Sequence, residues 1–294
     1  MRTIVAATDL SSPSDLALDR AIALARHTGA ALTIMSVEEP HQAEVLAMDP
    51  NPLALGEFTQ QLSEFTEAQL GERLERAKAA GVTATTARRR GRPHDEICAL
   101  AEEVDADLIV VGSAGRTGVK RLVLGSVAEN VAHRAPRPVL IARGRTGGAF
   151  AKVLVPTDFG VPAARALAVA RELALPDADV EALYAWHYPA GSMGLAALGE
   201  RTQAMSALRE ALTQGPQAKG DALVAAESAA GRPLRFSLRH GPAAEVAVEE
   251  ATTFGFDLIA VGTYGSGGVR RLLLGSVATQ IMRHAGCSVL VTHA

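Results

Sequence analysis

Two segments with the same pattern of glycine and hydroxyl residues carry the clearest signal of ligand binding in this sequence. Each reads Gly-x-x-Gly, nine residues, then Gly-Ser, and the second copy lies 150 residues after the first (262 − 112). The segments contain Gly112, Ser113, Gly115, Gly125 and Ser126, then Gly262, Thr263, Gly265, Gly275 and Ser276. Glycines let a phosphate approach the main chain, and a helix beginning at Gly-Ser would offer it unpaired N–H groups. The alternative is that these glycines only form turns and let a helix pack closely.

A Thr-Asp pair follows the first predicted strand of each half, at Thr8-Asp9 and at Thr157-Asp158. The carboxylate could accept a hydrogen bond from an adenine amino group or a ribose hydroxyl. An aspartate at this position also forms turns and caps helices, and the pair considered alone favours that structural role. Combined with the glycine segments, it indicates a nucleotide crevice with the phosphates on the glycines.

The fixed offset predicts a duplicated unit, with one domain at residues 1–145 and a second at 150–294. Each half reads as five apolar strands alternating with helices. This alternation favours two tandem doubly wound α/β domains, each with a five-stranded parallel sheet flanked by helices. Such domains bind ligands beyond the carboxyl ends of the strands, where the strand order reverses. If strands one and four flank that reversal, the Thr-Asp pair and the glycine segment meet over one crevice.

Three local features of the sequence make sharper predictions. Ser12 is expected to cap the first helix, with Pro13 in the first turn. The third strand is expected at residues 82–88. Val37, at the end of the second strand, is matched in the second half by Trp186.

The Thr-Asp pair, the glycine segment and the ending at residues 135–140 together resemble the universal stress protein family. The resemblance covers nearly the whole chain as two tandem domains, and in the family the glycine segment marks an ATP-binding branch. It implies ATP, with or without Mg²⁺, in each half. The implied binding residues are Thr8, Asp9, Val37, Gly112, Ser113, Gly115, Arg116, Gly125, Ser126 and Val127, then Thr157, Asp158, Trp186, Gly262, Thr263, Gly265, Ser266, Gly275, Ser276 and Val277.

The resemblance also concerns the contact between domains. In the family, the fifth strand of one domain pairs with the fifth strand of another. Here Val139–Ala142 and residues 289–291 would pair within one chain and cover two apolar edges. Further pairing into a homodimer stays open.

The two halves differ beside the glycine segments. Arg116 follows Gly115, whereas Ser266 follows Gly265. Arg116 could add a charge-assisted phosphate contact. If the side chain of Trp186 faces the pocket of the second half, it could stack on a base or block the pocket. The two differences together predict tighter nucleotide binding in the first half.

The composition argues against several other classes of protein. The net charge is −3 and neither half is basic, which argues against nucleic acid as the main partner. No apolar stretch has the length of a membrane span or signal peptide, and two cysteines suggest no disulfide framework, so we expect a cytoplasmic protein. The histidines lack metal-ligand spacing, and neither a P-loop nor a Rossmann glycine motif occurs.

Three functions fit these observations. The leading hypothesis is an ATP-binding regulator or stress-survival factor that acts through an unidentified protein partner. The second is an enzyme that hydrolyses ATP slowly or transfers a phosphoryl or adenylyl group, although no dedicated base stands out and no catalytic residue is assigned. The third is an interaction scaffold that binds no nucleotide.

Overall fold

The computed structural model describes residues 1–39, 52–113, 124–144, 148–189, 203–263 and 275–293. The strands of the first half are β1 (Thr3–Ala7), β2 (Ala31–Glu38), β3 (Ala84–Arg90), β4 (Leu108–Gly112) and β5 (Val139–Ala142). Its helices are α1 (Ser12–Thr28), α2 (Pro52–Ala79), α3 (Pro93–Glu103) and α4 (Ser126–Arg134). The strands of the second half are β6 (Phe150–Pro156), β7 (Ala174–Trp186), β8 (Arg235–His240), β9 (Leu258–Gly262) and β10 (Ser288–Thr292). Its helices are α5 (Val161–Leu173), α6 (Gln203–Ala229), α7 (Ala243–Phe254) and α8 (Ser276–His284).

All ten strands form one sheet in the order β3-β2-β1-β4-β5-β10-β9-β6-β7-β8. Within each half every strand pair is parallel. The order reverses between β1 and β4 in the first half, and between β6 and β9 in the second. The predicted fold class is therefore confirmed, and the loops after β1 and β4 meet at the reversal.

The sheet is buried on both faces, which explains why its inner strands are apolar without alternation. One face packs against α1, α2, α5 and α6, around residues such as Ile4 and Leu290. The other face packs against α3, α4, α7 and α8, around Val5 and Val289. Because neighbouring residues of a strand point to opposite faces, the inner strands contribute to both clusters. Each cluster runs through both halves, so the halves share their cores.

The antiparallel pairing of β5 with β10 joins the halves, as predicted. Leu140 lies opposite Leu290, and both side chains are fully buried. Beside the strands, Arg283 of α8 donates to Glu129 of α4 at 2.6 Å. On the other face of the sheet, His27 of α1 contacts the carbonyl oxygen of Ala174 at 3.0 Å.

Two local predictions were wrong by one or two residues. The residue before α1 is Ser11, not Ser12, and it has extended backbone with no side-chain cap hydrogen bond. Strand β3 runs over Ala84–Arg90, not 82–88, because its pairing with β2 begins with Ala84 opposite Leu32. No helix of the described segments is long and apolar enough to cross a membrane.

Each half caps the last helix of the other half. The Arg143 guanidinium donates to the carbonyl oxygens of Met282 at 2.6 Å and Ala285 at 2.8 Å, at the C-terminal end of α8. His293 lies 150 residues later (293 − 143), and its Nε2 donates to the carbonyl oxygen of Ala132 in α4 at 3.1 Å. Both contacts satisfy carbonyl groups that a helix end leaves without an internal partner.

The imidazole cap should make the stability of the fold depend on pH. Burial lowers the pKa of His293 from its ordinary value of 6.5, and nearby Arg165 and His133 also lower it. The unfolded chain therefore binds a proton more readily than the folded chain, so the free energy of unfolding should fall as the pH drops below about 6.5. Urea unfolding between about pH 5.5 and 7.5 measures this slope. The His293→Gln variant should lose the part of the pH dependence that His293 causes. An unchanged slope in this variant would contradict the role of His293.

Candidate functional site

A crevice of about 620 Å³ opens at the carboxyl ends of β1, β2 and β4. We call it the first crevice. Helices α1, α2, α3 and α4 supply its remaining walls. Its described lining residues from the strands and their loops are Ala7, Thr8, Asp9, Leu10, Ser11, Met35, Ser36, Val37, Glu38, Glu39, Val111, Gly112 and Gly125. Those from the helices are Ser14, Leu62, Phe65, Thr66, Pro93, Ile97, Ser126, Val127 and Ala128.

The Thr-Asp pair shapes the turn at one wall of the first crevice. Asp9 Oδ1 accepts the backbone N–H of Ser11 at 3.1 Å, and Thr8 Oγ1 accepts that of Leu10 at 3.0 Å. Leu10 between them has a φ of 63°, in the left-handed region. Such backbone costs on the order of 1 kcal/mol and persists where its surroundings enforce it. The turn-forming role that the sequence left open is therefore present.

The second half repeats this turn. Thr157 Oγ1 accepts the N–H of Phe159 at 2.9 Å, and Asp158 Oδ1 accepts that of Gly160 at 2.9 Å. Phe159 also has a φ of 63°. The duplication has thus preserved the backbone of this loop while its side chains changed.

The glycine segment forms the opposite wall, where α4 begins. The N–H of Gly125 donates to the carbonyl oxygen of Ser113 at 2.8 Å, so it is not the unpaired donor that the sequence suggested. Gly125 precedes α4, and no side-chain hydrogen bond caps that helix end. The first-turn N–H groups, from Ser126 onward, therefore carry the positive end of the helix dipole at the crevice wall. Gly115 and Arg116, like Gly265 and Ser266, lie outside the described residues.

The corresponding glycines of the second half have packing roles. A Cβ at Gly262 would lie 2.6 Å from the carbonyl carbon of Pro162, where α5 begins. A Cβ at Gly275 would lie 2.7 Å from the carbonyl oxygen of Thr263, which accepts the Gly275 N–H. Ser276 and Val277 follow in the first turn of α8, which also lacks a side-chain cap. At Gly262 and Gly275, close packing is a sufficient reason for glycine.

The pairing of Val37 with Trp186 was wrong. The N–H of Gly91 donates to the carbonyl oxygen of Glu38, whereas that of Gly241 donates to Trp186. Trp186 therefore corresponds to Glu38, and Val37 corresponds to Ala185. Because side chains alternate along a strand, this one-residue difference places Val37 and Trp186 on opposite faces of the sheet. Val37 itself lines the first crevice.

Residues of α2 were missed by the sequence analysis. Phe65 lines the first crevice and is 56% exposed, which is unusual for a large aromatic side chain. Glu38 also lines it and accepts a hydrogen bond from Arg88 at 2.6 Å. No sequence pattern marks Phe65, since a long helix does not reveal which turn lies over the sheet end. Glu38, the last residue of β2, was missed as well.

Other candidate chemistry is absent from the described residues. They contain no group of three or more His, Cys, Asp or Glu side chains able to hold a metal ion. Burial is the main cause that raises the pKa of the Cys98 thiol to about 11, and the same holds for Cys287. Both thiols are therefore protonated at neutral pH and are poor nucleophiles.

Comparison with known proteins agrees with this architecture. The model of the Universal stress protein family matches the chain twice, at residues 1–143 and 149–293. A universal stress protein of Staphylococcus aureus is 33% identical over 144 residues, which are 48% of this chain and 84% of that protein. The crystal structure of a universal stress protein from Archaeoglobus fulgidus has a TM-score of 0.72 at 22% identity and covers 99% of this chain and 98% of its own. A universal stress protein crystallised in complex with cAMP is 35% identical, with a TM-score of 0.35, over 48% of this chain and 93% of its own. This chain belongs to the universal stress protein family, as two tandem members.

Proposed function

We propose that the first crevice binds an adenine nucleotide, with ATP as the leading ligand, and that occupancy regulates the protein in a stress response. The adenosine would lie between the turn at Asp9 and the end of β2 around Val37. The phosphates would lie on Gly112, Ser113 and the start of α4. Any Mg²⁺ would be carried by the phosphates, since the described residues offer it no dedicated cluster.

The observation that carries the proposal is the division of the first crevice into two chemically different walls. Asp9, Glu38 and Glu39 are the charged residues of its described lining, and they lie at the ends of β1 and β2. The start of α4 presents backbone N–H groups on the other side. Hydroxyl-bearing sugars suit the carboxylates, and anions suit the helix N-terminus. The volume lies within the roughly 300–1,000 Å³ range of small-molecule sites.

Helix α4 would carry the effect of occupancy to the second half. Its first turn lines the first crevice, whereas near its C-terminal end the carbonyl oxygen of Ala132 accepts the hydrogen bond of His293 from the second half. In the middle of the helix, Glu129 pairs with Arg283 of α8. A phosphate that shifts α4 would therefore act on two contacts between the halves.

The enzymatic alternative gains no support from the described lining of the first crevice. That lining contains no histidine, lysine or arginine. Phosphoryl transfer requires positioned charge stabilisation as well as a nucleophile. We therefore favour a binding and regulatory role over ATP turnover.

Isothermal titration of the full chain with ATP, with and without Mg²⁺, tests the proposal. ADP, AMP, cAMP and GTP serve as competitors, with cAMP included because a relative was crystallised with it. We expect saturable binding of ATP and weaker binding of GTP. Absence of binding by every adenine nucleotide would favour the scaffold function, and product formation in the same samples would favour the enzyme.

The exposed ring of Phe65 leads to a specific expectation. Phe65→Ala should weaken ATP binding by about 10-fold, because loss of aromatic stacking on a base costs about 1–3 kcal/mol. Stability should change little, since the ring is largely exposed in the free protein. Phe254→Ala is the matched control, because Phe254 is 52% exposed at the end of α7 in the second half. Equal affinity losses in both variants would remove Phe65 from the site.

A further inference from the structure

We propose that the corresponding place in the second half, the second crevice at the carboxyl ends of β6, β7 and β9, is filled by its own aromatic side chains. The full chain would then bind one nucleotide, in the first crevice. This inference rests on the function proposed for the first crevice. It replaces the expectation that ATP occupies both halves.

The first observation is a large side chain where the first crevice has a small one. Met35 lies opposite Ala7 in the first half, and Leu183 lies opposite Pro156 in the second. The next residue along each strand is Ser36 in one case and Tyr184 in the other. Ser36 lines the first crevice. Tyr184 occupies the equivalent strand position in the second half, so its phenol ring lies at the equivalent place of the second crevice. A ring of this size takes up much of the space that a base would need.

The second observation is a ring stacked on Tyr184. Phe159 has the same left-handed backbone as Leu10, another residue that lines the first crevice. The rings of Phe159 and Tyr184 lie 5.5 Å apart between centroids, at an interplanar angle of 19°. Phe236 lies 5.9 Å from Phe159. Phe159 thus contacts two other rings beside the β6–α5 turn.

Helix α6 shows that these rings are part of the packing of the folded chain. A Cβ at Gly220 would lie 2.2 Å from the ring of Phe236. Gly220 corresponds to Leu70 of α2, 150 residues earlier (220 − 70), and Leu70 is a buried core residue. The helix has a glycine where the ring needs space. The bulk of Phe236 therefore replaces that of Leu70, and the aromatic cluster is matched by the surface that covers it.

At the end of β7, another polar residue of the first crevice is replaced by an aromatic one in the second half. Trp186 is 8% exposed and packs against Tyr188 and His240, with ring centroids at 5.2 and 4.6 Å. It takes the position of Glu38, one of the carboxylates of the first crevice. Gly160 likewise replaces Ser11. The second half has therefore exchanged polar lining positions for aromatic packing.

The stoichiometry of ATP binding to the full chain, measured by isothermal titration, tests the inference. We expect one ATP per chain, with binding lost in Asp9→Asn and retained in Asp158→Asn. Asparagine keeps the Oδ1 acceptor that forms each turn but replaces the other carboxylate oxygen with a donor. Two ATP molecules per chain, or loss of the single one in Asp158→Asn, would overturn the inference alone. No binding at all would overturn the proposed function of the first crevice as well.

Trp186, the only tryptophan of the chain, gives an independent readout. Its acrylamide quenching should not change on saturation with ATP, because the ligand binds in the other half. Protection of Trp186 by ATP would place nucleotide in the second crevice and overturn the inference. The double variant Phe159→Leu/Tyr184→Ser gives these two positions the side chains of the first crevice and should bind a second equivalent of ATP. If it unfolds cooperatively like the parent and still binds one, the rings are not what excludes the ligand.

Discussion

Replacing Ser126 with aspartate is expected to weaken ATP binding by at least about 100-fold while slightly stabilising the folded chain. Ser126 is exposed at the first position of α4, at the wall where the phosphates would lie. A carboxylate about 5 Å from one phosphate charge costs about 3 kcal/mol at an effective dielectric constant near 20. The same charge favours the helix N-terminus by about 0.5 kcal/mol.

In Ser126→Asp, ATP affinity should fall while the free energy of unfolding rises. These opposite changes distinguish a role of Ser126 in phosphate binding from a role in folding. Titration with ATP measures the first effect and urea unfolding the second. Ser276→Asp is the matched control, because it begins α8 in the same way. It should give the same stabilisation without weakening ATP binding. Unchanged ATP affinity in Ser126→Asp would place the phosphates elsewhere.

Replacing Leu290 with aspartate should destabilise the whole chain by more than about 5 kcal/mol. Leu290 is fully buried opposite Leu140 at the centre of the junction. Truncating a buried leucine alone costs about 2–5 kcal/mol, and burying an unpaired carboxylate adds to that. Since a domain is stable by about 5–15 kcal/mol, much of the protein should unfold or aggregate.

An edge-strand variant separates this effect from the poor fit of aspartate in any strand. Thr86 is exposed on β3, at the end of the ten-stranded sheet. Thr86→Asp should cost no more than about 1 kcal/mol. Size-exclusion chromatography and urea unfolding compare the two variants. A well-folded monomeric Leu290→Asp protein would mean that the junction contributes little.

The sequence was sufficient for the fold because several independent patterns agreed. Unbroken apolar strands require helices on both faces, and repeated strand-helix units require a parallel sheet. The sequence left open which strands flank the reversal, and the strand order of the structure places Asp9 and Gly112 at one crevice. The β5–β10 contact was implied by the resemblance to the family, and the cover that it gives to two apolar edge strands is its physical reason.

The wrong pairing of Val37 with Trp186 arose because an alignment error of one residue changes which side chains correspond. Thr157 lies 149 residues after Thr8, but Leu183 lies 148 after Met35 (183 − 35), because the segment from the start of α1 to β2 is one residue longer than the corresponding segment from α5 to β7. A strand side chain changes face with every residue, so this slip assigned Trp186 to the wrong partner. The length change lies between the start of the helix and the strand that follows it, where no sequence pattern fixes the alignment.

The sequence shows that the second half is rich in aromatic residues, but it does not show where these residues cluster. Of the 11 Phe, Tyr and Trp residues, only Phe58 and Phe65 occur in residues 1–147, so nine lie in the second half (11 − 2). This excess of aromatic side chains indicates that the packing of the second half differs from that of the first. Which of them contact each other depends on register and on Gly220, and both are tertiary information.

The β5–β10 junction has a consequence for how such a protein can evolve. In a dimer of identical subunits, every substitution appears twice, so a ring that closes one crevice closes both. Here the two partners are encoded in one reading frame, and Tyr184 occurs once. Because the two halves are covalently linked, one half can lose its ligand site by substitution without any change in the other. It still supplies the strand and the helix caps that the other half requires.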